Sequence, residues 1–306
     1  MQRTDGAESK REAALPKGIF FIVLSAFAFS LMSLCVRKSG ELPFMQKALF
    51  RNSVATVAAF CVLLKNKSFR IEKGNLPALL MRSVTGTLGL VLNFYAIDHM
   101  NVADASILNK LAPFFAMIFS AIIIKEKPSG WDWALVGVAF IGAVFVAKPT
   151  GEITDVIPAL AGVLGGLGAG IAYAYVRLLS KKGQSAEMTV FFFSAFSVLF
   201  VLPFALMNFQ PMELGQVLWL LGAGAAASVA QFSLTVAYKY APAKDISVYD
   251  YSQVLFTAIW GMAFLSEFPD GWSLLGYAII IGAAVVKYLL GRTVKIDKNN
   301  QEKYKS

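Results

Sequence analysis

Long apolar runs alternate with short polar ones along the whole chain, and the runs share one length. A helix crossing a hydrocarbon core of ~30 Å needs about 20 predominantly apolar residues. Ten such stretches can be marked, at 18–36, 44–64, 76–97, 102–124, 131–147, 157–179, 188–207, 214–238, 245–265 and 272–290. The connections are short, so the pattern predicts an all-α membrane protein of ten transmembrane helices with no separate soluble domain. The fourth stretch has a degenerate copy: an offset of 141 places Asp104, Ser106, Phe115, Ile118, Glu126, Pro128, Gly130 and Trp131 on Asp245, Ser247, Phe256, Ile259, Glu267, Pro269, Gly271 and Trp272. One constant shift accounting for all of these identities predicts two repeats of five helices, 18–147 and 157–290, flanked by tails at 1–17 and 291–306.

The basic residues orient the bundle. With a cytoplasmic N-terminus, the inside segments collect clusters such as Lys65, Lys67, Arg70 and Lys73, or Arg177, Lys181 and Lys182, whereas the outside segments hold only Arg37, Lys38, Lys47 and Lys148. By the positive-inside rule both termini are expected in the cytoplasm. Five helices is an odd number, so the second repeat is expected to enter the membrane inverted. The basic loop Lys125-Glu126-Lys127 is then inside, and its counterpart 266–270, which has no Lys or Arg, is outside. Inverted repeats suit a carrier, because two similar halves of opposite orientation can exchange roles around a midplane site.

Composition agrees: 57% of residues are hydrophobic and 15% charged, with a mean hydropathy of +0.61. The net charge of +9 does not signal nucleic acid, since the basic residues lie between apolar spans rather than on a polar surface. Cys35 and Cys61 are far apart within spans and suggest neither a disulfide framework nor a metal site. The first span is too long for a signal peptide and is expected to stay in the mature protein. The tail beyond Arg292 is polar and basic and is expected to be solvated, with no fold of its own.

Polar groups inside spans are costly and therefore mark candidate sites. Lys110 lies about seven residues into its helix, ~10 Å at 1.5 Å per residue, too deep for easy snorkelling. It reads either as a substrate-recognising or coupling cation or as the structural partner of a carboxylate, Asp250 foremost. Asp250 falls on the repeat position of Asn109, and Tyr251 on that of Lys110. Continuous helical spacing would put Tyr249, Gln253 and Phe256 along one face beside Asp250. Arg51 and Arg82 are candidates to clamp a carboxylate or phosphate, or to tie helix ends, and for Arg82 a structural or gating role near the inner surface is favoured. Asn93, Tyr95, Tyr173, Tyr175, Gln231 and Trp260 are further polar or amphipathic groups in spans, with Tyr173 and Trp260 expected on a cavity wall. Pro113 is expected to kink the fourth span. Gly162, Gly166 and Gly170 share one face of an apolar helix and read as a close-packing, sliding surface rather than a nucleotide loop. Asp98, His99 and Asp104 read as caps and loop residues rather than metal ligands. No metal or cofactor is expected.

The chain resembles the EamA-type branch of the drug/metabolite transporter superfamily over 17–292. The resemblance is carried by Arg51, by Arg82 with Gly86 and Asn93-Phe94-Tyr95-Ala96, and by Asp104, Pro113 and Glu126. The second half adds Ala237, Asp245, Tyr249-Asp250-Tyr251-Ser252-Gln253 and Glu267. It departs from the first in having no arginine equivalent to Arg51 or Arg82. The resemblance implies a carrier, in a family that handles amino acids, nucleotide sugars, cofactors and other metabolites. The expectation is a secondary-active or facilitative transporter in a bacterial cytoplasmic membrane, working by alternating access on a small organic metabolite, anionic or zwitterionic, with a proton or ion as a coupling partner. Neither a nucleic acid nor an obligate protein partner is expected. A lipid flippase or a non-transporting membrane sensor is the alternative. One loop histidine and two isolated cysteines are poor material for an enzyme.

Overall fold

Large apolar side chains point outward over much of the surface, with Leu199, Leu214 and Met207 at 72%, 75% and 79% exposure. Water tolerates only small patches of this kind, whereas a lipid tail suits them everywhere. The computed structural model describes residues 2–99, 108–147, 156–265 and 270–303, and every regular element among them is helical. In chain order these are α1 (Gln2–Lys38), α2 (Phe44–Asn66), α3 (Leu76–His99), α4 (Ala112–Ile123), α5 (Gly130–Ala147), α6 (Val156–Lys181), α7 (Ala186–Met207) and α8 (Leu214–Tyr240). There follow the short α9 (Ala243–Ile246), a 3₁₀ turn (Ser247–Tyr251), α10 (Ser252–Leu265) and α11 (Gly271–Lys303).

Two expectations change. Among the described residues seven helical stretches are long and apolar enough to cross a membrane, while Ala112–Ile123 and Gly130–Phe145 are shorter apolar helices. The fourth and ninth spans are not continuous helices: α4 begins only at Ala112, and a 3₁₀ turn interrupts the ninth. The terminal segments are also helical: α1 begins at Gln2, and α11 runs to Lys303, so the tail beyond Arg292, expected to have no fold of its own, continues the last helix. A preformed helix lowers the cost of adding each further turn, which lets polar residues extend an apolar span.

Helix ends follow local chemistry. The side chain of Ser185 accepts from Met188 N at the start of α7, and the Glu213 N–H donates to Gln216 Oε1 at the start of α8 (3.0 Å). Lys67 takes a left-handed conformation (φ 51°) that closes α2 on the carbonyls of Leu63 and Leu64. In the first turn of α5, Asp132 accepts from the backbone N–H and hydroxyl of Ser129, the residue just before the helix, and pairs with Lys287 of α11.

The two halves pack through contacts that recur when the halves are exchanged. Shifted by 141, α1 becomes α6 and α3 becomes α8, and the two most extensive interfaces are α1 with α8 and α3 with α6. Helix α2 packs on its own equivalent α7, and α5 on its equivalent α11. The pairs α4 with α6 and α10 with α1 complete the pattern.

The glycines of α6 set how closely its neighbours approach. A methyl group at Gly168 would stand 2.7 Å from the Thr85 carbonyl oxygen, and one at Gly165 3.1 Å from Asn93 N, so one face lies against the α3 backbone. The other face meets the broken fourth span: a methyl at Gly162 would stand 2.9 Å from Leu108 Cδ1, at Gly166 3.0 Å from the Leu108 oxygen, and at Gly170 2.4 Å from Phe115 Cβ. Because Ala116 N and the Ala112 oxygen are also within 2.9 Å of that last position, backbone would have to move. Gly170→Ala is therefore expected to lower stability by about 1–3 kcal/mol, as overpacking does. Gly137→Ala, with nothing within 4 Å, is expected to be neutral or to stabilise by about 0.5–1 kcal/mol. Thermal unfolding of the two variants in detergent compares them directly, and equal melting temperatures would contradict this packing.

Candidate functional site

The site begins at two helix interruptions. In the first repeat, Leu108 and Asn109 are helical, Lys110 and Leu111 form a turn, and α4 restarts at Ala112 with Pro113 in its first turn. Proline has no N–H to offer the carbonyl four residues back and its ring crowds that carbonyl. The backbone resolves the conflict by ending one helix and starting another, so Pro113 opens α4 instead of kinking a continuous span. In the second repeat the interruption is the 3₁₀ turn Ser247–Tyr251, with Val254 at the position equivalent to Pro113. The Lys110 carbonyl, left outside α4, accepts a hydrogen bond from the Tyr251 hydroxyl (2.9 Å). Lys110 and Tyr251 are repeat equivalents, 141 residues apart, so the two halves meet residue on equivalent residue at their breaks.

The Lys110 ammonium donates to Gln253 Oε1 (2.7 Å) and stands 3.5 Å from Asp250 Oδ2. Both side chains of the ion pair are largely buried, 13% and 14% exposed. A 3₁₀ turn aligns side chains three apart, whereas an α-helix aligns those three and four apart. Asp250 in the turn and Gln253 in the first turn of α10 are three apart, a spacing that either geometry aligns, and both reach the same lysine. The turn breaks the face expected from continuous helical spacing. Tyr249 instead lines an apolar cavity of about 290 Å³ with Val23, Ser252, Leu255, Ile280 and Tyr288, between α1, α10 and α11. Phe256 packs edge-on against Phe27 of α1 (5.3 Å).

Arg51 of α2 and Arg82 of α3 are 3% and 2% exposed. The Arg51 Nε–H donates to the Met32 sulfur (3.0 Å) and a terminal N–H to Asn52 Oδ1 (3.1 Å). The Arg82 guanidinium lies over the Phe193 ring (3.7 Å to the centroid) and donates to Gln231 Oε1 (3.0 Å). A side chain that begins near the helix end thereby reaches inward, and Gly86 leaves the space: a methyl group there would stand 2.4 Å from Arg82 Nη1. Tyr173 of α6 is within electrostatic reach of Arg51, Arg82 and Asp250, which joins the arginines to the Lys110–Asp250 pair in one polar cluster. Among the described residues, buried polar atoms without a partner include Arg82 Nε, Asn52 Nδ2, Ser83 Oγ, Asn93 Oδ1 and Ser194 Oγ.

Other expected residues lie elsewhere. Trp260 donates its indole N–H to Ser30 Oγ (2.9 Å) and packs at a tilt against Phe27, binding α10 to α1. Tyr95 stacks on His99 (4.1 Å between centroids) at the end of α3. The backbone oxygen of Asn109 faces Gly166. Asp104 and Glu267 fall outside the described residues, and no group of metal-ligating side chains occurs among the described ones. Two features carried no sequence signal: Phe193, one of three consecutive phenylalanines, and a charged latch far along the chain. In that latch Glu126 pairs with Arg177 (3.1 Å) and Lys181 (2.6 Å), and Arg177 also donates to the carbonyls of Tyr238 (2.9 Å) and Lys239 (3.1 Å).

Known proteins match most of the chain. The model of the EamA-like transporter family matches twice, over residues 16–148 and 158–289. The pseudopaline exporter CntI of Pseudomonas aeruginosa is 34% identical over 284 residues, covering 92% of this chain and 98% of its own. Human solute carrier family 35 member G1 is 25% identical over 302 residues (92% and 82%), and a riboflavin transporter of Vibrio cholerae is 27% identical over 212 residues (66% and 68%). A solved crystal structure shares the fold with a TM-score of 0.79 at 17% identity, covering 90% of this chain and 98% of its own. With both halves matched and the relatives named as transporters, the chain belongs to the EamA-like transporter family and is a multi-pass membrane transporter built from two EamA repeats.

Proposed function

We propose that the protein is a secondary-active or facilitative carrier that moves a small organic metabolite, anionic or zwitterionic, by alternating access between two inverted halves. In this reading ten segments cross the cytoplasmic membrane of a bacterium with both termini inside, and a proton or ion gradient, or the substrate's own, supplies the energy. The observation that carries it is the contact of Lys110 with its repeat equivalent Tyr251, at paired helix breaks beside a buried polar cluster. Broken helices at a repeat interface free backbone and side-chain groups for a ligand at membrane depth, where an intact helix offers none. The named cargoes of the relatives differ, so the substrate reading rests on this cluster. Lys110 is its recognition or coupling cation, Asp250 the counter-charge that exchanges with substrate or proton, and Arg51, Tyr173 and Asn93 shape the surroundings. Rocking of the halves would open and close the latch of Glu126 with Arg177 and Lys181.

The lateral cavity beside Tyr249 supports a second reading, a lipid carrier, because Ile281, Val285 and Tyr288 on its rim are about half exposed on the lipid-facing surface. Among the described residues no charged side chain lines it, so it offers an acyl chain a place and a headgroup none. The metabolite reading is therefore the better supported.

A thermal-shift screen of the purified protein against a metabolite library identifies compounds that bind the folded state, and hits are followed as labelled counterflow in proteoliposomes. Lys110→Ala is expected to abolish counterflow in a folded protein, and full counterflow in that variant removes Lys110 from the mechanism. The double variant Lys110→Gln with Asp250→Asn separates the roles. It is expected to be more stable than either single variant, since each single variant leaves a lone buried charge and the double leaves none, yet to remain inactive. Recovery of transport in the double variant would assign the pair to structure alone. Tyr251→Phe, which leaves the Lys110 carbonyl without its donor, is expected to cost about 1 kcal/mol of stability and to slow counterflow, with intact substrate affinity by thermal shift.

A further inference from the structure

The cluster is not electrically balanced. Arg51, Arg82 and Lys110 contribute three cations, and among the described residues Asp250, already 3.5 Å from Lys110, is the carboxylate that shares the electrostatic surroundings of Tyr173 with the two arginines. Among the described residues all the partners of the arginines are neutral: a thioether, two amide oxygens and a phenyl ring. A guanidinium has five N–H donors and a thioether is a weak acceptor, so most of this donor capacity is unused. Arg82 Nε and Asn52 Nδ2, both buried, have no acceptor among the described residues. Two guanidiniums held in an apolar bundle with no counter-ion among the described residues repel each other and forgo hydration, an arrangement that structure alone does not favour. Both are nonetheless held in place, Arg82 by Phe193, Gln231 and the space above Gly86, and Arg51 by Met32 and Asn52. The repeat equivalents of the two arginines are Phe192 and Ala223, so the excess belongs wholly to the first half.

We propose that the site takes a dianion, a substrate with two negative charges on carboxylate or phosphate oxygens, with Arg51 and Arg82 as its counter-ions and the charges of Lys110 and Asp250 cancelling in the sum, whichever of them the substrate meets. The proposal rests on the central site put forward above and specifies the charge of its cargo. A monoanion leaves one guanidinium uncompensated, and a zwitterion brings a further cation into a site already in excess. A guanidinium binds carboxylate and phosphate alike through two parallel N–H donors, so the chemistry common to both defines the class. Arg82 is accordingly a binding residue, a role beyond the structural or gating one its place in the sequence favours.

The test is a thermal-shift titration of the purified full-length protein, at matched ionic strength, with succinate, glutarate and glycerol 3-phosphate against acetate, alanine and sodium chloride. The dianions are expected to raise the melting temperature saturably and the other three are not, and the comparison of succinate and glutarate with glycerol 3-phosphate tells carboxylate from phosphate. In Arg51→Gln and Arg82→Gln the ligand-free melting temperature is expected to stay level or rise, because an uncompensated charge has gone. Apparent dianion affinity is expected to fall roughly 100-fold, as when one partner of a buried charge pair is removed. Gly86→Ala, which displaces the Arg82 guanidinium, is expected to weaken binding in the same direction. The absence of any dianion-specific shift in the wild-type protein overturns the proposal without reference to a variant. So does a drop of several degrees in both ligand-free glutamine variants, which would make the arginines structural. A shift with alanine that disappears in Lys110→Ala keeps the central site and removes the dianion. A dianion shift unchanged in the Lys110, Arg51 and Arg82 variants removes the site itself.

Discussion

A helix interrupted inside an apolar bundle exposes peptide groups that no water can satisfy, and the centre of this protein is arranged around two such interruptions. The Lys110 carbonyl, displaced from helical bonding by the restart of α4 at Ala112, is met by the hydroxyl of Tyr251. Because these residues are equivalents in the repeat, the bond lies where the two halves face each other. It joins the break of one half to the break of the other. Either interruption alone would leave a polar defect, and together they place Lys110, Asp250 and Gln253 in mutual reach.

That meeting needs close approach of the surrounding helices, which the glycines of α6 allow. One face of α6 lies on the α3 backbone near Gly89 and Asn93, and the other on residues 108–116 at the break. The helix so enclosed also carries Tyr173, the group in reach of both arginines and Asp250. Packing without side-chain interlock and the polar cluster are two consequences of the same helix, since small residues bring the backbones together and leave Tyr173 room to reach the centre. The equivalent helix α1 has larger residues at the corresponding positions, Phe21, Ser25 and Phe29, so the halves share a topology without sharing a surface.

Charge is distributed with the same asymmetry. Arg51, Arg82 and Lys110 all come from the first half, while the second contributes Asp250, Gln253 and Gln231 as acceptors. The repeat therefore supplies a scaffold of approximate symmetry, and its departures from symmetry supply the chemistry. The latch of Glu126 with Arg177 and Lys181 binds the loop after α4 to the end of α6, and through Arg177 to the end of α8, at a distance in sequence from the arginines.

The sequence by itself determined the apolar spans, the 141-residue repeat and the polar residues that interrupt it, because span length is dictated by membrane thickness and a repeat is visible as a constant offset. It also brought positions 109 and 110 opposite 250 and 251, where Lys110 stands 3.5 Å from Asp250. Only the tertiary structure decided how the backbone breaks. The 3₁₀ turn at Ser247–Tyr251 has no proline to announce it, and Tyr249 within it lines the lateral cavity while Asp250 stands beside Lys110. Trp260 could equally have faced a central cavity from its place in the span, and Ser30 of α1 draws its indole away. Arg82 sits where a helix-end residue would be expected to reach for the surface, and the space over Gly86 with the Phe193 ring and Gln231 holds it inward. Each of these outcomes depends on a partner more than a hundred residues away, and no local pattern encodes where such a partner will stand.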